Sequence, residues 1–124
     1  MKNSFAILLV ALSATLAACS PSPSARVETF YQNLNKGQIT EMFDMIDPAK
    51  LEQAGEDMKA KTRAGWSKTA EAIRARGGLT SVVVTSEEFG EIANYEATLK
   101  FGDGKSEIDK GKLQKINGKW YLAL

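Results

Sequence analysis

Hydrophobic residues recur with a helical period in the first half of the chain. The spacing i, i+3, i+4, i+7 places apolar side chains on one face of a helix. It occurs first between Ala25 and Lys36, at Val27, Phe30, Tyr31 and Leu34. It recurs after Gly37, at Ile39, Met42, Phe43 and Ile46. Two helices are therefore predicted here, the first with Ser24 as its N-cap.

A longer helical segment is predicted after Asp47-Pro48, because Asp caps a helix and Pro fits its first turn. Gly55 is expected to interrupt this segment, which continues to about Arg76. Its predicted buried stripe comprises Met58, Thr62, Trp66, Thr69 and Ile73. Gly77-Gly78 is a typical stop, because glycine tolerates positive φ.

The period changes to two after Gly78, which predicts strands. Four strands are expected, over residues 79–89, 94–101, 105–116 and 119–124. Gly102-Asp103-Gly104 and Asn117-Gly118 are typical hairpin turns between them. In the third strand, Ile108 and Leu113 are five residues apart, so strict alternation fails and a β-bulge at Gly111 is predicted.

This order predicts an α+β fold, with N-terminal helices packed on a curved four-stranded antiparallel sheet. The chain has 124 residues, enough for one domain. Its formal charge of +1 argues against nucleic acid as a partner. The absence of histidine removes the commonest metal ligand and proton carrier, so no metal or other cofactor is expected.

Residues 1–18 have the three-part pattern of a secretory signal. Lys2 precedes an apolar run from Phe5 to Leu16, and small residues follow. The run is shorter than the roughly 20 residues that a membrane-spanning helix needs. A cleaved signal peptide is therefore predicted.

Leu16-Ala17-Ala18-Cys19 resembles the lipobox of bacterial lipoproteins at all four positions. The resemblance implies cleavage between Ala18 and Cys19, attachment of diacylglycerol to the Cys19 thiol, and acylation of the new amino terminus with a fatty acid such as palmitate. Residues 19–24, with alternating Ser and Pro, are predicted to form a short extended tether. Because Ser20 stands where an inner-membrane retention signal would have Asp, the periplasmic face of the outer membrane is the expected location.

The globular part, residues 25–124, resembles the nuclear transport factor 2-like superfamily, a cone of helices against a curved sheet. Within it, the chain is similar to small bacterial lipoprotein domains of unknown function described as lumazine-binding-like. The residues that carry the resemblance are Val27-Glu28-Thr29-Phe30-Tyr31, Leu34, Gly37, Met42-Phe43-Asp44 and Leu113 to Leu122. Enzymes, binding modules and assembly domains share this fold, so the resemblance leaves function open.

Three functions are compatible with the sequence. A non-enzymatic envelope domain would bind a small apolar ligand or a protein partner, and Phe43, Trp66, Tyr95 and Trp120 are the predicted wall of its pocket. An enzyme of ketosteroid-isomerase type would need a carboxylate base and tyrosine donors, for which the candidates are Asp44, Asp47, Tyr31, Tyr95 and Tyr121. The third is a structural accessory of an envelope assembly. Self-association into a homodimer is compatible with all three.

The last strands are rich in lysine, at positions 100, 105, 110, 112, 115 and 119. Two interpretations remain open at the level of sequence. The lysines could face anionic lipid headgroups or an acidic partner, or they could form a solvated sheet face and protect strand edges.

Overall fold

The computed structural model describes residues 21–123. The predicted signal peptide and the predicted lipidation of Cys19 lie outside this range. Among the described residues, no helix has both the length and the apolar character needed to cross a membrane.

The first helix, α1, spans Pro23–Lys36 and begins two residues earlier than predicted. Ser22, rather than Ser24, is its N-cap, and its side chain accepts a hydrogen bond from the Ala25 backbone N–H at 3.2 Å. Pro23 fits the first turn because its missing N–H would have had no helical partner. Two residues of the predicted tether therefore belong to the helix.

The remaining helices follow the predicted order with different lengths. Helix α2 covers only Ile39–Met42 and continues into a 3-10 turn, Phe43–Met45. Helix α3 spans Pro48–Ala75, and Asp47 caps it by accepting from the Ala49 backbone N–H, as predicted. Gly55, at φ 77°, interrupts α3, also as predicted.

The predicted buried stripe of α3 is correct only towards its C-terminal end. Ile73 is buried and Trp66 is partly buried against the core. Met58 is 52% exposed and Thr69 is also exposed, so the assignment of these two residues to the stripe was wrong. The N-terminal part of α3 has no buried residue, and the buried residues of the helix, Ala70 and Ile73, lie in its later turns.

The sheet is antiparallel with the order β1-β2-β3-β4. Its strands are β1 (Leu79–Phe89), β2 (Ile92–Phe101), β3 (Ser106–Ile116) and β4 (Lys119–Leu122). The Asn117-Gly118 turn has positive φ at both residues, 51° and 79°, as a type I′ hairpin requires. The predicted α+β arrangement of helices on a curled four-stranded sheet is confirmed.

The β-bulge predicted at Gly111 is wrong. Pairing between β2 and β3 runs without a shift from Ile92↔Gln114 to Lys100↔Ser106. With the register unbroken, alternation turns Ile108 to the outer face, where it is 61% exposed. Asp109 pairs with the fully buried Ala97 and faces the helices. A polar residue thus points inward at the position where the sequence pattern favoured an apolar one.

The core lies between the helices and the inner face of the sheet. Its members come from both layers and include Val27, Leu34, Met42, Ala97, Leu99, Phe101, Leu113 and Trp120. Below it, the C-terminal end of α3 and the residues that follow it contact the β2–β3 hairpin through backbone hydrogen bonds. The N–H of Gly102 donates to the carbonyl of Gly78 at 2.9 Å, and the N–H of Asp103 donates to that of Arg76 at 2.8 Å.

Candidate functional site

A cleft of about 450 Å³ lies between the helices and the inner face of the sheet, at the end where the β2–β3 hairpin turns. Its volume is within the range of small-molecule sites. Most of its wall is apolar, with carboxylates, a guanidinium and a phenol at its edges. The lining residues are Tyr31, Leu34, Thr69, Ala72, Ile73, Arg76, Leu99, Phe101, Glu107, Ile108 and Asp109.

One tyrosine hydroxyl, that of Tyr31, and a carboxylate form one polar edge of the cleft, and Tyr95 lies beside Tyr31. Tyr31 is only 4% exposed, and its hydroxyl donates a hydrogen bond to Oδ2 of Asp109. Burial first, and then this hydrogen bond, raises the pKa of Tyr31 far above its usual value. Burial also raises the pKa of Tyr95, which interacts with Tyr31. Both phenols therefore stay neutral at physiological pH and can donate hydrogen bonds.

Tyr95 reaches Tyr31 because its cross-strand partner is Gly111. A Cβ at residue 111 would lie 2.6 Å from the Tyr95 ring, closer than real atoms approach. The glycine that the sequence suggested as a bulge therefore leaves space for an aromatic ring. Any side chain at this position would push Tyr95 away from Tyr31.

Arg76 forms the opposite edge of the cleft. Its guanidinium carbon lies 3.6 Å from the centre of the Phe101 ring, a stacked cation–π geometry. The same group pairs with Asp103 and Glu107, at 3.2 Å each. The backbone N–H of Lys105, together with the Arg76 guanidinium, holds the pKa of Asp103 below its usual value. These contacts fix the guanidinium plane against the apolar wall.

The buried phenol leads to a prediction about alkaline stability. Because the pKa of Tyr31 is raised in the folded state, its contribution to stability is complete below pH 10, the usual tyrosine value, and is lost as the pH rises further. Chemical unfolding measured from pH 9 upward should show stability falling in the wild type and falling less steeply in Tyr31→Phe. An identical slope in both proteins would show that Tyr31 ionises freely in the folded chain.

A second polar group, buried near the start of α1, was not recognised in the sequence. Arg26 is 7% exposed, and its Nε donates to the Trp120 carbonyl at 3.0 Å. Its remaining nitrogens donate to Oδ2 and to the backbone carbonyl of Asp44, at 3.0 and 2.9 Å. Arg26 first, and then Lys119, lower the pKa of the Asp44 carboxyl. This arginine joins α1 to the 3-10 turn and to β4, away from the cleft.

The structure separates the four residues predicted as one pocket wall. Phe43 and Trp66 pack edge to face, with ring centres 4.9 Å apart. Trp120 is 3% exposed and lies in the core. Tyr95 is half-buried beside Tyr31. These four residues do not share the cleft described above.

The candidate bases are also separated. Asp47 caps α3, and Asp44 forms ion pairs with Arg26 and Lys119. Asp109, which the sequence analysis did not consider as a base, is the carboxylate that meets a tyrosine in the cleft. The sequence did contain a signal for Asp109. In an unbroken strand, residues 113, 111 and 109 share one face, so Asp109 lies on the same face as the apolar Leu113.

A further depression of about 530 Å³ lies over the middle of strands β1, β2 and β3, among Glu87, Asn94, Glu96, Lys110 and Lys112. Its rim carries mutually paired charges, with Lys110 Nζ 3.7 Å from Glu96 Oε2. Ligand sites are typically mostly apolar with a few polar groups, which describes the inner cleft better than this depression. Within residues 21–123, no cluster of three or more carboxylates and thiols is placed to hold a metal ion.

The lysines of the last strands do not form one surface. Lys100, Lys110 and Lys112 alternate with buried residues and lie on the outer face. Lys119 pairs with Asp44 at 3.3 Å, and Lys115 Nζ lies 5.6 Å from the centre of the Trp120 ring.

Two solved structures are similar to this fold. A protein from Campylobacter jejuni named as an NTF2-like transpeptidase matches with a TM-score of 0.70 and 16% identity, over 84% of this chain and 99% of that chain. A SEC-C motif containing protein from Rhodopseudomonas palustris matches with a TM-score of 0.53 and 17% identity, over 83% of this chain and 76% of that chain. Three helices packed on a curled half-barrel of four strands give the chain a fold of the nuclear transport factor 2-like type.

The comparison with family models gives a narrower assignment. The chain belongs to the family described as "Domain of unknown function (DUF4878)", whose model matches residues 17–123. No curated protein matches the chain.

Proposed function

We propose that this protein is a lipoprotein of the bacterial cell envelope that binds a small ligand without transforming it. In this proposal, acylated Cys19 anchors the chain to the periplasmic face of the outer membrane. The inner cleft then holds a mainly apolar molecule with one polar end. The observation that carries the ligand part is the cleft itself, with its apolar wall and two polar edges.

The polar edges suggest the chemistry of the ligand. At one edge, the Tyr31 hydroxyl donates its single proton in a hydrogen bond to Oδ2 of Asp109, so the carboxylate and the phenol oxygen both offer acceptors to a ligand. At the other, Arg76 is held by two carboxylates, so the cleft carries no unpaired positive charge to attract an anion. A neutral or cationic polar group next to Asp109 fits this arrangement better than an acid.

The lipobox supports the anchoring part of the proposal. Cys19 is the only cysteine in the chain, so it has no partner for an internal disulfide. The similarity to lumazine-binding-like domains stays a prediction, and so does an envelope protein as a partner.

The geometry favours binding over the alternative of a carboxylate-base enzyme. In such an enzyme, Asp109 would have to remove a proton from the substrate. Here Oδ2 of Asp109 already accepts a proton donor, Tyr31. A substrate proton would therefore have to compete with the Tyr31 hydroxyl for this oxygen.

A bulky substitution at the cleft mouth tests ligand binding. Ala72 lines the cleft on an exposed face of α3, so Ala72→Trp should fill the cleft and leave the core intact. Native mass spectrometry of the mature chain, extracted with detergent from its own host, should show a retained small molecule that this variant loses.

Ala64→Trp is the matched control, because Ala64 is also exposed on α3 but does not line the cleft. This control should retain the ligand. A wild-type chain that is consistently bare, or a ligand retained equally by both variants, would contradict the proposed cleft function.

A further inference from the structure

The start of α1 and two hairpin turns lie at the same end of the molecule. Strands β1 and β3 run towards this end and turn at Gly90-Glu91 and Asn117-Gly118. The two turns are joined by a hydrogen bond from the Lys115 N–H to the Glu91 carbonyl, at 2.7 Å. We call this region, residues 89–92 and 116–119, the turn tip.

Helix α1 is fixed to this end by its first residues. The hydroxyl of Ser24 lies 2.6 Å from that of Ser86, three residues before the β1–β2 turn. Arg26 donates to the carbonyl of Trp120, immediately after the β3–β4 turn. The chain therefore enters the domain beside the turn tip.

The turn tip exposes an apolar pair. Phe89 and Ile92 are cross-strand partners on either side of the turn and are 58% and 39% exposed. Directly paired side chains on one sheet face touch each other, so the two form a continuous apolar projection. A hairpin turn that is fully exposed to water does not require such a pair of large apolar side chains.

The distance to Cys19 is short. Pro21 is the second residue after Cys19, and consecutive Cα atoms are about 3.8 Å apart, so the two Cα atoms lie within roughly 7.6 Å of each other. An acyl chain on Cys19 would hold the start of α1, and the turn tip beside it, at the bilayer surface. Because the link is so short, the tip has a high effective concentration at the lipid surface. Weak contacts are then enough to keep the tip bound to the bilayer.

We propose that the turn tip docks on the bilayer, with Phe89 and Ile92 inserted at the boundary between headgroups and acyl chains. This inference rests on the proposed lipid anchor at Cys19. Aromatic and aliphatic side chains favour this interfacial depth when a tether already holds them there.

Apolar contact, rather than charge, is the expected source of this docking. The residues around the tip include both signs, with Lys112, Lys115 and Lys119 on the β3–β4 side and Glu87, Glu88 and Glu91 on the β1–β2 side. Lys119 is also paired with Asp44. With the charges balanced, added salt should change the docking only slightly.

Docking at the tip would point the ligand cleft away from the membrane. The cleft residues Leu99 and Phe101 are seven and nine residues along β2 from Ile92. At about 3.4 Å per residue, this places them roughly 25–30 Å from the tip. The cleft mouth would then face the aqueous compartment, where a diffusing ligand can enter.

Lipid-borne quenchers can test this orientation. In the acylated full chain Cys19 is blocked, so a cysteine introduced elsewhere carries the only free thiol. A fluorophore is attached through Glu91→Cys at the tip or Ser106→Cys at the far end, and the chain is reconstituted into phosphatidylethanolamine–phosphatidylglycerol vesicles with brominated acyl chains. Quenching should be several-fold stronger at the tip position.

Two pairs of substitutions give the matched comparison. Phe89→Ser with Ile92→Ser should reduce tip quenching to the far-end level. Val83→Ser with Ile108→Ser removes two exposed apolar side chains, 57% and 61%, from the same outer face and should leave tip quenching unchanged.

Intact mass and vesicle flotation report the anchor independently of the docking. A chain that is acylated and floats, yet is quenched equally at both positions, overturns the docking and leaves the anchor standing. A chain whose mass lacks acyl groups overturns the anchor, and the docking with it.

Discussion

Gly102→Ala is expected to lower the free energy of unfolding by about 3 kcal/mol, which corresponds to a fall in Tm of roughly 15 °C for a domain of this size. A Cβ on residue 102 would lie 2.4 Å from the carbonyl oxygen of Gly77. Both partners are backbone, so no side chain can rotate to relieve the overlap. The hairpin would have to move off the end of α3, which would break the hydrogen bonds that Gly102 and Asp103 donate there.

Gly65→Ala is the matched control and should change stability in the opposite direction. Gly65 lies within α3, and nothing lies within 4 Å of the Cβ that alanine would add. Alanine in an exposed helical position is more favourable than glycine by roughly 0.5–1 kcal/mol. Thermal unfolding followed by circular dichroism measures both variants. A Gly102→Ala protein as stable as the wild type would contradict the close backbone contact.

The same contact shapes the cleft. It places Phe101 and Asp103 against Arg76. The arginine edge of the cleft therefore exists only while the hairpin stays packed against the end of α3. Loss of the hairpin contact should therefore reduce ligand retention as well as stability.

Arg26→Ala is expected to cost about 3 kcal/mol of folding free energy. The guanidinium is buried and supplies donors to two backbone carbonyls and one carboxylate. Its removal leaves the Trp120 carbonyl without this partner, and an unsatisfied buried acceptor costs roughly 1–3 kcal/mol. Hydrogen bonds from a charged donor contribute more than neutral ones, which accounts for the rest.

Two further variants separate charge from geometry at this site. Arg26→Lys keeps the charge but cannot reach Trp120 and Asp44 together in the planar fork that arginine provides, so it should recover only part of the loss. Gln32→Ala, on an exposed position of α1, should stay within about 0.5 kcal/mol of the wild type. Urea unfolding gives all three values, and full recovery by Arg26→Lys would show that charge alone matters.

Much of the fold could be predicted because its signals are local. The apolar spacing of α1, the Asp47 cap, the break at Gly55 and the Asn117-Gly118 turn all depend on neighbours within a few residues. Each was predicted from the sequence and is present in the structure. The order of helices and strands then leaves few ways to cover one face of a sheet.

The register of β3 could not be predicted in the same way. Ile108 and Leu113 are both apolar, and the sequence pattern favoured placing both inside with a bulge between them. The pairing with β2 instead leaves Ile108 outside and turns Asp109 towards Tyr31. Register depends on contacts between strands, and a shift of one residue exchanges the two faces of a strand.

In the candidate site too, single residues could be predicted from the sequence, but the contacts between them could not. The sequence identified Tyr31 and Tyr95 as possible donors, but it did not connect either of them with Asp109. The Tyr31 and Asp109 partners are 78 residues apart in the chain, and Tyr95 can lie beside them because Gly111 leaves room for its ring. The pairing of Arg26 with Asp44 and Trp120 is equally non-local.

The amino-acid sequence by itself determined the helices, the strands and their turns, because these depend on propensities and periodicities within short segments. Only the tertiary structure decided which faces meet, and so which carboxylate enters the cleft and which apolar side chains stay in solvent. The physical reason is that a cleft is made by side chains from separate elements, whose approach depends on register and on backbone contacts such as that between Gly77 and Gly102.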